Sequence, residues 1–358
     1  MRFLFKTDYN QDIRVVKHGG QAFWYSLLML VMLSAPAWAG DYWLAQLSFV
    51  LVYSIAGLGL MVLSGFTGLA SIGHAAFLGV GAYVEAYLSA RGWPFPLTMA
   101  LAAALSAAVG VVVGLPALRV KGIYLAISTL AFGFIVEEVL ARWESVTKGN
   151  AGMNVAAPQF FGYEVGGSEG FYFLALGTCV VVTLGVINLM RSATGRAFIA
   201  IRDSEISAQS MGIHLAGYKT LAFALSAAIV GIAGALYAHK LRFISPDQFN
   251  IVQSIDLLLL VVVGGLGAIH GAFLGAIFLI TMPQLIALGK DYLPPAIGQA
   301  SGLQAVVYGV VLMGFVLFEP MGIYGRWLKV RTWLQLFPFY RRGMFKRQKS
   351  FTKSERLK

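Results

Sequence analysis

The sequence predicts an all-α, polytopic membrane protein with about ten transmembrane helices and both termini in the cytoplasm. Three observations predict it. First, 58% of the 358 residues are hydrophobic and only 12% are charged, with a mean hydropathy of +0.74. An ordinary soluble domain carries about 25% charged residues, and so few charges cannot cover a water-facing surface of this size. A disordered chain, which needs low hydrophobicity and high charge, is excluded as well. Second, apolar runs of spanning length, about 20 residues, recur along the chain. Third, most of the basic residues fall on one side of those runs.

In chain order the runs are 23–39, 43–63, 72–90, 95–115, 123–141, 171–190, 220–239, 254–265, 271–288 and 303–318. Each is long enough for a helix through the hydrocarbon core except 254–265. That run is expected to continue back through 249–253 or to be a broken helix enclosed by protein. With the N-terminus inside, 21 of the 27 Lys and Arg residues face the cytoplasm, as the positive-inside rule requires. They lie at Arg2, Lys6, Arg14 and Lys17, at Arg119 and Lys121, at Arg191, Arg196, Arg202 and Lys219, and in the tail from Arg326 onward. The other side receives Arg91, Arg142, Lys148, Lys240, Arg242 and Lys290. The chain therefore divides into a cytoplasmic segment 1–22, a membrane body 23–320 with a cytoplasmic loop 191–219, and a basic cytoplasmic tail 321–358.

The first run has a rival reading. Ala37-Trp38-Ala39 has the form of a signal-peptidase site, but the preceding segment is long for a signal sequence and contains Asp8 and Asp12. A retained helix is the preferred reading. The net charge of +11 would suggest nucleic acid in a soluble protein. Distributed in this way, it fits cytoplasmic loops and anionic lipid headgroups, with no nucleic-acid partner. Cys179 is the sole cysteine, so an internal disulfide is impossible.

Small residues mark where helices meet in lipid. Gly267, Gly271 and Gly275 form two overlapping GxxxG spacings, and Gly110 and Gly114 form another. They are expected to pack helices closely.

The loop 191–219 is the one long polar insertion on the inner side. Asp203 can cap a helix over 204–211 that Gly212 stops, and a second short helix is expected over 196–201. Packing alone has no need of a short capped helix beside the membrane; a soluble partner can push on one.

The spacing Glu205-Ile-Ser-Ala208 followed by Gly212 resembles the EAA-type coupling loop of ATP-binding-cassette importer permeases. The wider run from Gly195-Arg196 through Ala200-Ile201-Arg202-Asp203 to Met211-Gly212-Ile213 is similar to the permease family for branched-chain amino acids. So are Ser64 to Tyr83, Gly122 to Gly133, Tyr218 to Ser226 and Val261 to Gly267. In order, the five cover most of residues 42–320. The resemblance implies two permease chains forming a pathway, the second a sister subunit by the family's habit, with two separate ATP-binding cassette ATPases beneath and a periplasmic substrate-binding protein delivering the solute. It places the complex in a bacterial inner membrane. Glu205, Ala208 and Gly212 would carry the ATPase contact, flanked by Arg202 and Asp203. The sequence departs from the family at Phe134, where an acidic residue is common, and at Ser207, where Ala is preferred.

The chain has no GxxxxGK[ST] loop, so ATP would be consumed by partner chains. Neither a HExxH run nor a GxSxG frame is present, and no zinc site, other cofactor or catalytic residue is expected. Glu85, Asp256 and His74 are the candidates for lining a pathway, since a charge at mid-membrane costs roughly 3 kcal/mol and needs a partner or water. The leading reading is thus the permease subunit of an ATP-driven importer of branched-chain amino acids. A permease for another small polar solute (urea or short amides, an aromatic acid, a sugar) stands beside it. An intramembrane enzyme and a passive channel are remote alternatives.

Overall fold

The structure, a computed structural model, describes residues 19–117, 122–160, 163–290, 302–318 and 321–336. The basic residues at 2–17, 119 and 121 and the tail beyond 336 lie outside the described residues. In chain order the long helices are α1 (Gly19–Trp38), α2 (Asp41–Leu60, continuing as a π-helical turn Met61–Phe66), α3 (His74–Ser89), α4 (Phe95–Ala117) and α5 (Ile123–Arg142). A short α6 (Glu144–Thr147) and strands β1 (Met153–Asn154), β2 (Gln159–Phe160) and β3 (Tyr163–Glu164) follow. Then come α7 (Gly167–Arg191), the short α8 (Ala193–Asp203) and α9 (Glu205–Ser210), and α10 (Leu215–Leu241). The chain continues through β4 (Phe243–Ile244), α11 (Ile251–Gly264), α12 (Ile269–Lys290), α13 (Leu303–Phe318) and α14 (Gly322–Leu336).

Each of the ten apolar runs coincides with a helix. Among the described residues, eight helical segments are long and apolar enough to cross a membrane: Gly19–Trp38, Asp41–Phe66, Phe95–Leu115, Ile123–Arg142, Gly167–Arg191, Leu215–Leu241, Pro246–Gly264 and Ile269–Gly289. α3 and α13, at 16 residues each, are shorter. The run 254–265 does extend backward, but with a break. Pro246 begins a single 3₁₀ turn to Phe249, and Asn250 restarts the chain as α11. The Asn250 carboxamide oxygen accepts from the Val252 and Gln253 amides at 2.9 and 3.2 Å, satisfying two amides that a helix start leaves without partners. Asn250→Ala is expected to cost about 1 kcal/mol, measurable as a lower unfolding temperature in detergent.

α10 is the axis of the molecule. It packs against α2, α3 and α4, and residues from Ala222 to His239 are buried along it. Its crossing with α3 is made backbone to backbone. A Cβ on Gly81 would strike the Gly231 backbone, and one on Gly234 would strike the Leu78 carbonyl. Small residues therefore do bring these helices into contact, as lipid-embedded packing favours. Gly271 and Gly275 act likewise, where α12 meets Gly264 and Leu260 of α11. Gly267 does not share that stripe: it lies in the turn between α11 and α12, at φ +80°.

The two ends of the bundle differ. The segment 191–214 leads into the start of α10. Past its other end, β4 pairs antiparallel with β1 and ties the 149–160 segment across that face. α14 falls inside the segment read from sequence as tail. It packs on α11 and α12, with the Tyr324 ring stacked 5.3 Å from His270.

Candidate functional site

The segment 191–219 folds as two short capped helices. Ser192 caps α8, its hydroxyl accepting from the Gly195 amide. Ser204 caps α9, accepting from the Ser207 amide at 3.3 Å. Asp203 is thus not the cap: it closes α8, and the cap falls one residue later. Both Asp and Ser serve in that position, and the longer reach of α8, 193–203 against the expected 196–201, moves the break onward. α9 ends as expected at Gly212, which takes φ +85°, a conformation glycine adopts at little cost. His214 then caps α10 through Nδ1, which accepts from the Gly217 amide at 3.0 Å.

Two contacts fasten this pair to the bundle. Lys219 of α10 is only 3% exposed, and its ammonium donates to Glu205 Oε1 at 2.6 Å. Arg202 donates to the Gly65 carbonyl at 3.3 Å, in the π-helical turn that ends α2, and to Asp203 Oδ1 at 3.0 and 3.1 Å. The apolar side of α8 (Ala197, Phe198, Ile201) is buried, with Phe198 edge-on to Tyr218.

The sequence-predicted contact residues separate on this scaffold. Gly212, Arg202 and Asp203 are exposed. Ala208 is buried against the bundle, and Glu205 is turned toward Lys219. Both side chains pack α9 onto the bundle, with 24% of the Glu205 side chain still exposed, and the most exposed apolar side chains of the segment lie elsewhere. Ile206 is 80% and Met211 82% exposed, on either side of Ser207 and Ser210. Sequence reasoning missed both, although a large apolar residue on a six-residue polar helix was the available signal. An open cleft lined by Glu205, Gln209, Gly212, His214 and Lys219 lies alongside. The arrangement is a pair of short capped helices with two exposed apolar side chains, clamped directly to the central helix.

The candidate pathway residues do not come together. His74 is fully buried. Ser226 donates to the Gly59 carbonyl at 2.7 Å, so His74 Nε2 donates to Ser226 Oγ at 2.8 Å and Nδ1 accepts from Ser71 at 2.8 Å. This ring joins α2, α3 and α10. Glu85 is also fully buried, facing Thr98 and His239. Asp256 is half-buried on α11. On α5, Glu137 and Glu138 line an open cleft of about 930 Å³ with Trp143 and Asp247, and Glu138 pairs with Arg142. Among the described residues, no group of three His, Cys, Asp or Glu side chains is placed to hold a metal ion.

Comparison with known proteins gives this architecture a family. Residues 42–318 match the family described as the permease component of branched-chain amino acid transport systems. The high-affinity branched-chain amino acid transport system permease protein LivM of Salmonella typhimurium is 35% identical over 326 residues, covering 83% of this chain and 74% of that protein. The LivM protein of Escherichia coli is 35% identical over 299 residues, 76% of this chain and 68% of its own length. An autoinducer 2 import system permease protein, LsrC of an Enterobacter species, is 24% identical over 239 residues, 64% of each chain. No solved structure matches the chain. With a helical bundle built for lipid and a match that runs from the start of α2 to the end of α13, this chain belongs to the branched-chain amino acid transport-system permease family and is a multi-pass transport permease, not an enzyme.

Proposed function

We propose that this chain is a ten-pass subunit, with both termini cytoplasmic, of an ATP-driven importer for branched-chain amino acids in a bacterial inner membrane. α3, largely buried among its neighbours, and α13, whose large apolar side chains are mostly exposed, complete the count as short spans. Two ATP-binding cassette subunits grip α8 and α9, a sister permease supplies the other half of the pathway, and a periplasmic binding protein delivers the solute. ATP is consumed on the partner chains, and this chain holds no cofactor. The observation that carries the reading is the exposed pair Ile206, on a capped helix, and Met211, the residue that ends it, with the helix fastened to α10 through Glu205 and Lys219. An isolated six-residue helix is unstable in water, so its fastening makes it a rigid element that a partner can push.

In this reading the two exposed apolar side chains form the contact surface. Ile206→Asp together with Met211→Asp is expected to release the ATPase subunits while the permease stays folded in the membrane, since neither residue contributes to its interior. Co-purification of the ATPases with the double variant, at the unaltered level, would contradict the proposal. Of the three candidate pathway residues, Asp256 is the one the proposal places on the solute's route: Glu85 and His74 are enclosed within a single chain. The LivM relatives support branched-chain amino acids as the solute. The weaker likeness to an autoinducer 2 permease supports a second reading, another small polar solute. Ligand binding by the partner binding protein decides between them.

A further inference from the structure

At the far end of α10, His239 joins three elements. Its Nδ1 lies 2.8 Å from the Ala156 carbonyl. A carbonyl can only accept, so Nδ1 carries a proton. Nε2 lies 2.9 Å from Glu85 Oε1 on α3, an approach that needs one further proton between the two atoms. Thr98 of α4 donates to the same oxygen at 2.7 Å. The Glu85 and His239 side chains are both fully enclosed, and the pair with its shared proton has no net charge. The other titratable groups nearby face elsewhere: Arg91 lies over the Tyr87 ring, Lys240 over Phe49 and Phe171, and Tyr83 against Phe249.

Glu85 Oε2 and Ser89 Oγ are buried without a partner among the described residues. Both residues line one cavity of about 10 Å³, with Trp93, Ala157 and Gln159. Such a volume takes about one water molecule, and a buried carboxylate oxygen left unsatisfied is costly. A cation would add uncompensated charge to a neutral pair, so water is the ligand that fits.

Twenty residues of unbroken helix, about 30 Å, separate His239 from Lys219, the anchor of α9. α10 contains no proline and is held backbone to backbone by α3. We propose that α10 is a rod clamped at both ends. Glu205 and Lys219 hold it to the inner handle. Glu85, His239, the Ala156 carbonyl and one water in the adjoining cavity hold it to the 153–160 segment. Displacement of α9 by a nucleotide-driven partner is thereby delivered to the opposite face. This rests on the ATPase-coupled reading above. It adds Glu85 and His239 as positioning residues for the segment that faces incoming solute.

The test is hydrogen exchange by mass spectrometry on the whole transporter in lipid nanodiscs, nucleotide-free and trapped with ATP and vanadate. Exchange over 204–212 and over 153–160 is expected to change together between the two states, by about threefold or more. His239→Ala is expected to retain the response at 204–212 and lose it at 153–160. Ser89→Val, a milder change that fills the cavity, is expected to reduce the distal response. A response at 204–212 with none at 153–160 in the unaltered protein would overturn the inference while leaving the coupling reading intact, and so would a distal response that survives His239→Ala. The absence of any response at 204–212 would reject both.

Discussion

Glu205→Lys is expected to abolish uptake while the chain remains inserted. The substitution sets a second ammonium against Lys219, which is 3% exposed and has Glu205 as its ion-pair partner. Leaving a buried charge without its counter-ion costs about 3–5 kcal/mol. That exceeds what a six-residue helix can contribute from its own hydrogen bonds, so α9 must detach from α10. Under the proposed function, the ATPases then push on a handle no longer joined to the axis of the bundle. Solute uptake in cells is predicted to fall to background, with membrane content of the chain nearly unchanged because the bundle interior is untouched. The exchanged pair, Glu205→Lys with Lys219→Glu, is expected to restore part of the uptake by re-forming the bridge in reverse. Unimpaired transport by Glu205→Lys would remove this ion pair from the coupling route.

The second large effect concerns the α3–α10 crossing. Gly234→Val is expected to destabilise the protein by about 3 kcal/mol or more. The atoms in the way are the Leu78 carbonyl and the Ala82 amide nitrogen of α3, and backbone cannot rotate aside as a side chain can. The helices must separate, opening the contact along which α10 is buried. A large fall in thermal unfolding temperature and in membrane yield is the expected result. Gly185→Val on α7 is the control. No atom lies within 4 Å of that added carbon, and the variant is expected to behave as the unaltered protein. Equal stability for the two variants would mean that the crossing is not close-packed.

The spanning helices were legible because their signal is local. A run of apolar residues is read from its own composition, and every such run became a helix. The Gly212 stop was legible for the same reason: it depends only on backbone conformation at one residue. The break before α11 was half-legible. Pro246 and Asn250 announce it, but whether the preceding turn joins the helix depends on what encloses it. The role of Glu205 was not legible. Its partner is 14 residues away and on another helix, and without that partner the residue reads as part of an exposed surface. Ala208, read as a contact residue, is buried on the side of α9 that faces the bundle, and which side that is cannot be read from six residues alone. The Glu85–His239 pairing joins residues 154 positions apart through a bundle geometry that periodicity does not reveal. The helix 322–336 was hidden by its basic residues, which make the segment look like the tail that follows it.

The account rests on α9 standing on the cytoplasmic side, where an ATPase can grip it. Met211→Cys tests this directly, because the native Cys179 is buried and inert toward aqueous reagents. A membrane-impermeant thiol reagent is predicted to label Cys at this position in inside-out vesicles but not in intact cells, and bound ATPase is predicted to block the labelling. Labelling from outside intact cells, or labelling indifferent to the ATPase, would contradict the account.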